Sequence, residues 1–358
     1  MSQEVSYIDL LIEMISIPAV SRKENERSDF LEDYLKGLGY GVTRIHNNLL
    51  VGDSGSEDSR PRILLNSHMD TVSPVEGWES DPFIPLKEGD KMIGLGSNDA
   101  GASVVTLIAA YQKIEAKLEK QLNLMLLISA EEEVSGARGI SAVLKQLGRL
   151  DGVIVGEPTG MQPAVAERGL MVLDGELKGK AGHAARNVGE NAIYKAMKDI
   201  ETLAGMKFQE NSNWLPKPGA QVTMISAGTS HNVVPDLCRF VVDVRSNDKY
   251  GNEIMLEMIR SACKAELTPR STRLKPSSLE GNHFLMNAIT SCSLSPFGSS
   301  TLSDMALIPF PAVKMGPGDS ARSHTAGEFI LTSELDKGVE LYCLFLETMA
   351  DILNKNRM

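Results

Sequence analysis

The chain has 358 residues, 42% of them hydrophobic and 23% charged, which is the composition of a globular protein long enough for two domains. A formal net charge of -11 argues against a surface for nucleic acid or anionic membrane, since either partner needs clustered Lys and Arg. No run of about 18 apolar residues is present, so no membrane-spanning helix is expected.

The first segment, "MSQEVSYIDLLIEMISIPAV", spaces its apolar residues helically but mixes acidic residues among them. It lacks the basic start and small-residue end of a signal peptide. In "SRKENERSDFLEDYLKGLGY", Ser21 and Glu24 stand at capping-box spacing, Phe30, Leu31, Tyr34 and Leu35 share a face, and Gly37 is a stop, which predicts a surface helix. Four short apolar runs then predict buried parallel strands: "RILLN" from Arg62, "LNLMLLIS" from Leu122, "DGVIVG" from Asp151 and "PAVKMG" from Pro311. The long helical pattern "AGASVVTLIAAYQKIEAKL" lies between the first two. Strands alternating with helices predict a doubly wound, mostly parallel α/β sheet. The four cysteines, Cys238, Cys263, Cys292 and Cys343, are far apart and form no C-x-x-C pair, as expected of buried thiols in a reduced, cytoplasmic protein.

Residues 164–272 follow a different pattern. An alternating strand "GLMVLDGELKG", a helix "GENAIYKAMKDIETLAG", strands "AQVTMISAG" and "CRFVVDVRSN", a helix "YGNEIMLEMIRSACKAEL" and a strand "STRLK" give the order β-α-β-β-α-β, the ferredoxin-like arrangement. The α/β pattern resumes afterwards, so this block is expected to be inserted into a catalytic domain formed by residues 1–163 and 273–358.

Open parallel sheets bind ligands beyond the carboxyl ends of their strands. There the sequence places His68 and Asp70, then Glu131, Glu132 and Glu133, then Glu157, then the loop "PGDSARSHTAGE" with Asp319, His324 and Glu328; Asp99 ends "GLGSND" just before the long helix. Histidines with several carboxylates and no cysteine are a zinc-type ligand set, which could be binuclear with one shared carboxylate. Spacing does not identify the bridge. "GLGSND" lacks the third glycine of a dinucleotide loop, and Ser230 and His231 are adjacent residues whose side chains point apart, so neither carries a function. His46 and His283 are expected to be surface or packing residues.

The segments "SHMDTV", "GLGSND", "SAEEEVSGARG", "VGEPT", "GKAGHAARN", "SHNVVPD", "VDVRSND" and "GPGDSARSHTAGE", in this order, closely resemble the co-catalytic zinc aminoacylase and carboxypeptidase family, over nearly the whole chain. The resemblance implies a hydrolase of linear amides holding two Zn2+ per chain, with Co2+ as a substitute. It implies that Asp99 bridges the ions, that His68 and Glu157 complete one site and Glu132 and His324 the other, that Asp70 orients His68, and that Glu131 is the general base. The inserted block would be the family's lid and dimerisation domain, making the protein a homodimer in which His183 reaches the partner's active site. Arg245 and Asn232 look like the family's carboxylate-binding pair, and the amides of Gly316 and Gly318 would lie nearby. Members often carry a lysine shortly after the bridging aspartate; Ala100 and Gly101 stand here instead. The length and the "GPGDSARSHTAGE" segment look most like the acetylornithine deacetylase branch, which implies an N-acyl ornithine or N-acyl citrulline of arginine biosynthesis as substrate. Alternatives are the desuccinylase branch acting on N-succinyl-diaminopimelate, a dipeptidase or carboxypeptidase, and a catalytically silent metal-binding dimer.

Overall fold

The computed structural model describes residues 6–53, 55, 59–186 and 188–355; Asn187, the last residue of the "GKAGHAARN" segment, lies outside them. The chain forms two compact units. One comprises the described residues up to Val165, Leu279–Phe297 and those from Ser303 onward; the other comprises Ala166–Ser278 with Gly298–Leu302. The second unit therefore ends six residues later than the expected 272 and recruits a short segment from further along the chain.

The first unit is built on a mixed sheet whose four central strands run parallel in the order Asn123–Ser129, Arg62–His68, Gly152–Val155, Ala312–Lys314. All four are buried along their whole length, which explains why they appear in sequence as continuous apolar runs and not as alternating ones. Antiparallel strands flank them, with Asn48–Val51 on Asn123–Ser129 and Ala164 against Lys314. The helix Ala102–Leu118 is buried for most of its length and packs against the helix Thr332–Lys355. The helix Ile140–Leu147 joins a separate apolar cluster with Leu64, Met125, Leu127, Val153 and Val155. All four parallel strands end at one rim, so the segments that follow them, 69–71, 130–133, 156–158 and 315–324, converge there.

The predicted capping box does not form. The helix Asn25–Gly37 starts after Glu24 without a side-chain cap. Ser21 Oγ instead donates to Asp70 Oδ2 at 2.7 Å, and the buried Glu24 carboxylate accepts from the main-chain N–H groups of Arg22 and Glu131 and from Asn47 Nδ2. Both side chains are used to tie the helix to the rim.

The second unit has a four-stranded antiparallel sheet in the order Gly219–Ala227, Leu237–Ser246, Gly169–Lys178, Glu266–Pro269, with the helices Ala192–Ala204 and Asn252–Ala262 supplying residues to its core. The β-α-β-β-α-β order holds, but the last strand is Glu266–Pro269 and not the expected "STRLK". The reason is that the preceding helix stops at Ala262, where Asp199 Oδ2 accepts the amides of Lys264 and Ala265 at 2.9 and 2.7 Å and turns the chain early.

Candidate metal centre

His68 is the last residue of its strand and is almost fully buried. Its Nδ1 lies 3.0 Å from the main-chain carbonyl of Asp70 and 3.6 Å from the Asp70 carboxylate. Because a carbonyl only accepts, Nδ1 carries the proton and the Nε2 lone pair is left for the rim. Nε2 faces a ring of carboxylates: Asp99 Oδ1 at 3.2 Å, Glu157 Oε1 at 3.8 Å and Glu132 Oε2 at 3.9 Å. On the other side of Asp99, His324 Nε2 lies 3.6 Å from Asp99 Oδ2 and 3.0 Å from Glu133 Oε2. Asp99 thus touches a histidine with each of its oxygens. The Asp99–Ala100 peptide is cis.

The acidic triplet is held from behind, one amide at a time. Glu131 N–H points to Glu24 Oε1 at 3.3 Å, Glu132 N–H to Asp70 Oδ1 at 3.0 Å and Glu133 N–H to Asp70 Oδ2 at 3.3 Å. Asp70, expected to orient His68 through its carboxylate, lies 3.6 Å from His68 Nδ1 and also anchors this loop. Glu131 has φ of 55°, in the left-handed region, and this turns its side chain away from its neighbours. Its carboxylate accepts from Arg138 N–H at 3.2 Å and lines a separate surface cavity with Arg22, His46 and Arg138. The resemblance paired His324 with Glu132 and made Glu131 the base; in the structure His324 contacts Glu133, Glu132 lies in the ring around His68, and Glu131 accepts from Arg138 outside it.

The electrostatics of the ring suit a bound cation. Burial pushes the carboxyls of Glu132 and Glu157 well above the carboxylate range, and the charges of neighbouring acids push them further, against the pull of His68. Burial alone would lower the His68 pKa, but the charge of Glu132, the bonds with Asp70 and Asp99 and the charge of Glu157 hold it well above the ordinary imidazole value. The bond with Glu133 lifts His324 to about 9, against a smaller effect of burial. Four carboxylates, Asp99, Glu132, Glu133 and Glu157, crowd around two imidazoles, with the buried Lys314 bearing on Glu157 as well, and a cation between them would stabilise them as anions. The oxygens and nitrogens fall into two overlapping groups, His68 with Asp99 and Glu133, and His68 with Glu132 and Glu157, each with all donor atoms within 4.8 Å of one another. This imidazole and carboxylate donor set fits divalent cations of the zinc type.

The glycines of "GPGDS" have packing reasons. A Cβ on Gly316 would stand 2.3 Å from Ser103 Oγ and 2.6 Å from the Glu157 carbonyl, and Gly318 has φ of 91° with the Asn98 side chain where a Cβ would be. The remaining expected residues lie in the second unit. His183 is exposed on the two-residue strand Gly182–His183, paired with Val233–Val234, and Asn232, just before that partner strand, accepts from Ala184 N–H on its carbonyl at 3.0 Å. Arg245 is half-buried and gives Nε and Nη2 to Asp243 at 2.8 and 3.0 Å. His283 caps the helix Phe284–Ser291 by accepting from Leu285 N–H, so the expectation of a packing residue holds.

The resemblance gave Glu131 to the base and Glu132 to a metal, but the backbone torsion at Glu131 and the amide bonds to Glu24 and Asp70, which set where each carboxylate lies, are not legible in the sequence. The sequence sets Glu328 at the rim without a role; that residue is buried and holds the loop from which Asp99 projects.

A parallel sheet with a carboxylate and histidine ring at its carboxyl edge defines a hydrolase-type metal centre, and the comparisons identify the class. The chain belongs to Peptidase family M20/M25/M40, whose description matches residues 64–348, and it is accordingly a hydrolase of amide bonds. It is 26% identical over 374 residues to a succinyl-diaminopimelate desuccinylase of Delftia acidovorans, covering 94% of this chain and 96% of that one. It is 28% identical over 331 residues to an acetylornithine deacetylase of Myxococcus xanthus, covering 87% and 84%. Its fold is that of the aminopeptidase PepT from Bacillus cereus, with a TM-score of 0.77 at 21% identity over 96% of this chain and 98% of that one.

Proposed function

We propose that this chain is a two-metal deacylase of an N-acyl α-amino acid, and that the substrate is an N-acyl ornithine or N-acyl citrulline. The observation that carries the metal reading is Asp99 with one oxygen toward His68 and the other toward His324. Asp99, His68 and Glu157 would hold one ion and Asp99, Glu133 and His324 the other. Zinc fits this donor set, and cobalt shares its preferences. When bound, such ions polarise the amide carbonyl and lower the pKa of water towards 7.

Glu132 is the acid of the triplet that faces the ring without contacting His324, and it takes the part of the general base. It accepts the proton of the attacking water and delivers it to the leaving amine nitrogen, a contribution of typically about 10²–10⁴ in rate. His183 would donate to the oxyanion of the tetrahedral intermediate. Arg245, its guanidinium fixed by Asp243, and Asn232 would bind the substrate carboxylate, for which a guanidinium fork suits geometrically.

The substrate assignment rests on the "GPGDSARSHTAGE" segment and the overall length, which look like the deacetylase branch. The curated relatives include both desuccinylases and an acetylornithine deacetylase, so N-succinyl-diaminopimelate is the second reading. Steady-state kinetics on N-acetyl and N-succinyl ornithine, citrulline and diaminopimelate, with elemental analysis of the same protein, tests both levels. The proposal expects two divalent ions per chain and the highest kcat/KM on an ornithine or citrulline derivative. A clear preference for the diaminopimelate derivative would transfer the chain to the other branch, and activity without divalent metal would overturn the two-metal reading.

A further inference from the structure

Glu328 lies four residues after His324, is 1% exposed, and points into the turn that carries Asp99. Its Oε1 accepts from Asn98 N–H and Asp99 N–H, both at 2.9 Å, and its Oε2 accepts from Gly96 N–H at 3.1 Å. Its own carbonyl accepts from Gly94 N–H at 3.0 Å. The tie is returned from the other side. Asn98, fully buried, donates through Nδ2 to the Asp319 carbonyl at 3.1 Å and to Ser323 Oγ at 3.2 Å, and its Oδ1 accepts from Asp319 N–H at 3.1 Å. Ser323 in turn hydrogen-bonds the Asp99 carboxylate. The side chain of each loop thus satisfies the backbone of the other.

From this geometry we infer that Glu328 and Asn98 form a reciprocal clasp that locks the Asp99 turn to the His324 loop and thereby sets the spacing of the second metal position, so that Glu328 is a positioning residue for the bridging carboxylate. Asp99 and His324 come from segments more than 200 residues apart, and His324 is about half-exposed, held on its imidazole by Glu133 and Asp99. A metal site tolerates little error in donor separation, and partners behind the ligands typically change metal affinity about 10–100-fold when lost. The clasp is also specific for a carboxylate at 328. Three N–H donors need acceptors on both oxygens, and a glutamine would turn an NH2 toward at least one of them. This inference rests on the two-metal reading above.

The test compares wild type with Glu328→Gln and Asn98→Ser, each stripped of metal and titrated calorimetrically with Zn2+, with Co2+ absorbance as a second readout. A core variant far from the rim, Leu346→Ala, serves as a control for general destabilisation. The clasp predicts that one of the two ions binds at least about tenfold more weakly in both clasp variants, that the Co2+ spectrum changes, and that the control keeps both affinities whatever its melting temperature. Glu328→Asp, which keeps the charge but shortens the reach, should fall between wild type and Glu328→Gln. Should Glu328→Gln fail to fold, Asn98→Ser alone carries the comparison. Unchanged affinities in the clasp variants, or an equal loss in the control, would overturn the clasp while leaving two-metal binding by wild type intact; a wild type that binds no ions would instead overturn the metal reading itself.

Discussion

At the scale of single residues, the triplet Glu131-Glu132-Glu133 divides three identical side chains among three tasks. The left-handed backbone at Glu131 turns that carboxylate to the Arg138 amide, Glu132 enters the ring around His68, and Glu133 contacts His324. Parallel substitutions to glutamine should separate them. Glu132→Gln is expected to lose at least about two orders of magnitude in kcat while retaining its metal. Glu133→Gln should lose an ion together with its activity, and Glu131→Gln should keep both. Metal content and kcat of the three purified variants check this, and a Glu131→Gln protein as inactive as Glu132→Gln would return the base to position 131. His68, Glu157 and His324 could be singled out in the sequence by a topological rule, ligands beyond the ends of parallel strands, and Asp99 by its place at the end of "GLGSND" before the long helix. The division of the triplet could not be read there, since it depends on one φ angle and on amide bonds to Glu24 and Asp70, which are 107 and 62 residues away.

Among elements, the central strands were legible for the same reason that they are stable. Burial on both faces leaves a continuous apolar run bounded by polar residues, and the short length of the four runs sets them apart from the buried helix Ala102–Leu118. The failures arise where a polar side chain serves a distant partner. Ser21 and Glu24 have the spacing of a local cap but are drawn away to Asp70 and to the triplet. Asp199 looks like a helix surface residue, yet it is buried and stops a helix more than 60 residues later, which moves the last strand of the second unit forward to Glu266–Pro269. Asp199→Ala should therefore destabilise the second unit by about 1.5–3 kcal/mol, the range for hydrogen bonds to a charged group. Thermal unfolding followed by circular dichroism would register this as a lowered melting temperature, whereas Asp199→Asn, which keeps an acceptor, should lose less. Equal melting temperatures for wild type and Asp199→Ala would remove Asp199 as the cause of the early turn.

For the whole molecule, the surface of the second unit bears on the proposed dimer. The helix Ala192–Ala204 packs beside the strand Gly219–Ala227, and the two expose Tyr194 at 67%, Met197 at 57%, Met224 at 64% and Ile225 at 55%. That strand is an edge of its sheet, and exposed apolar residues along a strand edge favour pairing with another chain. The proposed service of His183 to the partner requires a dimer, and we propose that it forms through this surface. The prediction is one of complementation. His183→Ala and Glu132→Gln chains should each be nearly inactive as homodimers. In a mixed dimer, the chain that keeps Glu132 would receive His183 from the other, so one site is complete and the second lacks both groups. Random exchange of equal amounts makes half of the dimers mixed, and with one complete site in each, about a quarter of wild-type activity should return. Sedimentation confirms the dimer, and tagged chains confirm exchange. If exchange is complete and no activity returns, His183 does not act on the partner's site, because service within one chain leaves every site in the mixture short of a group.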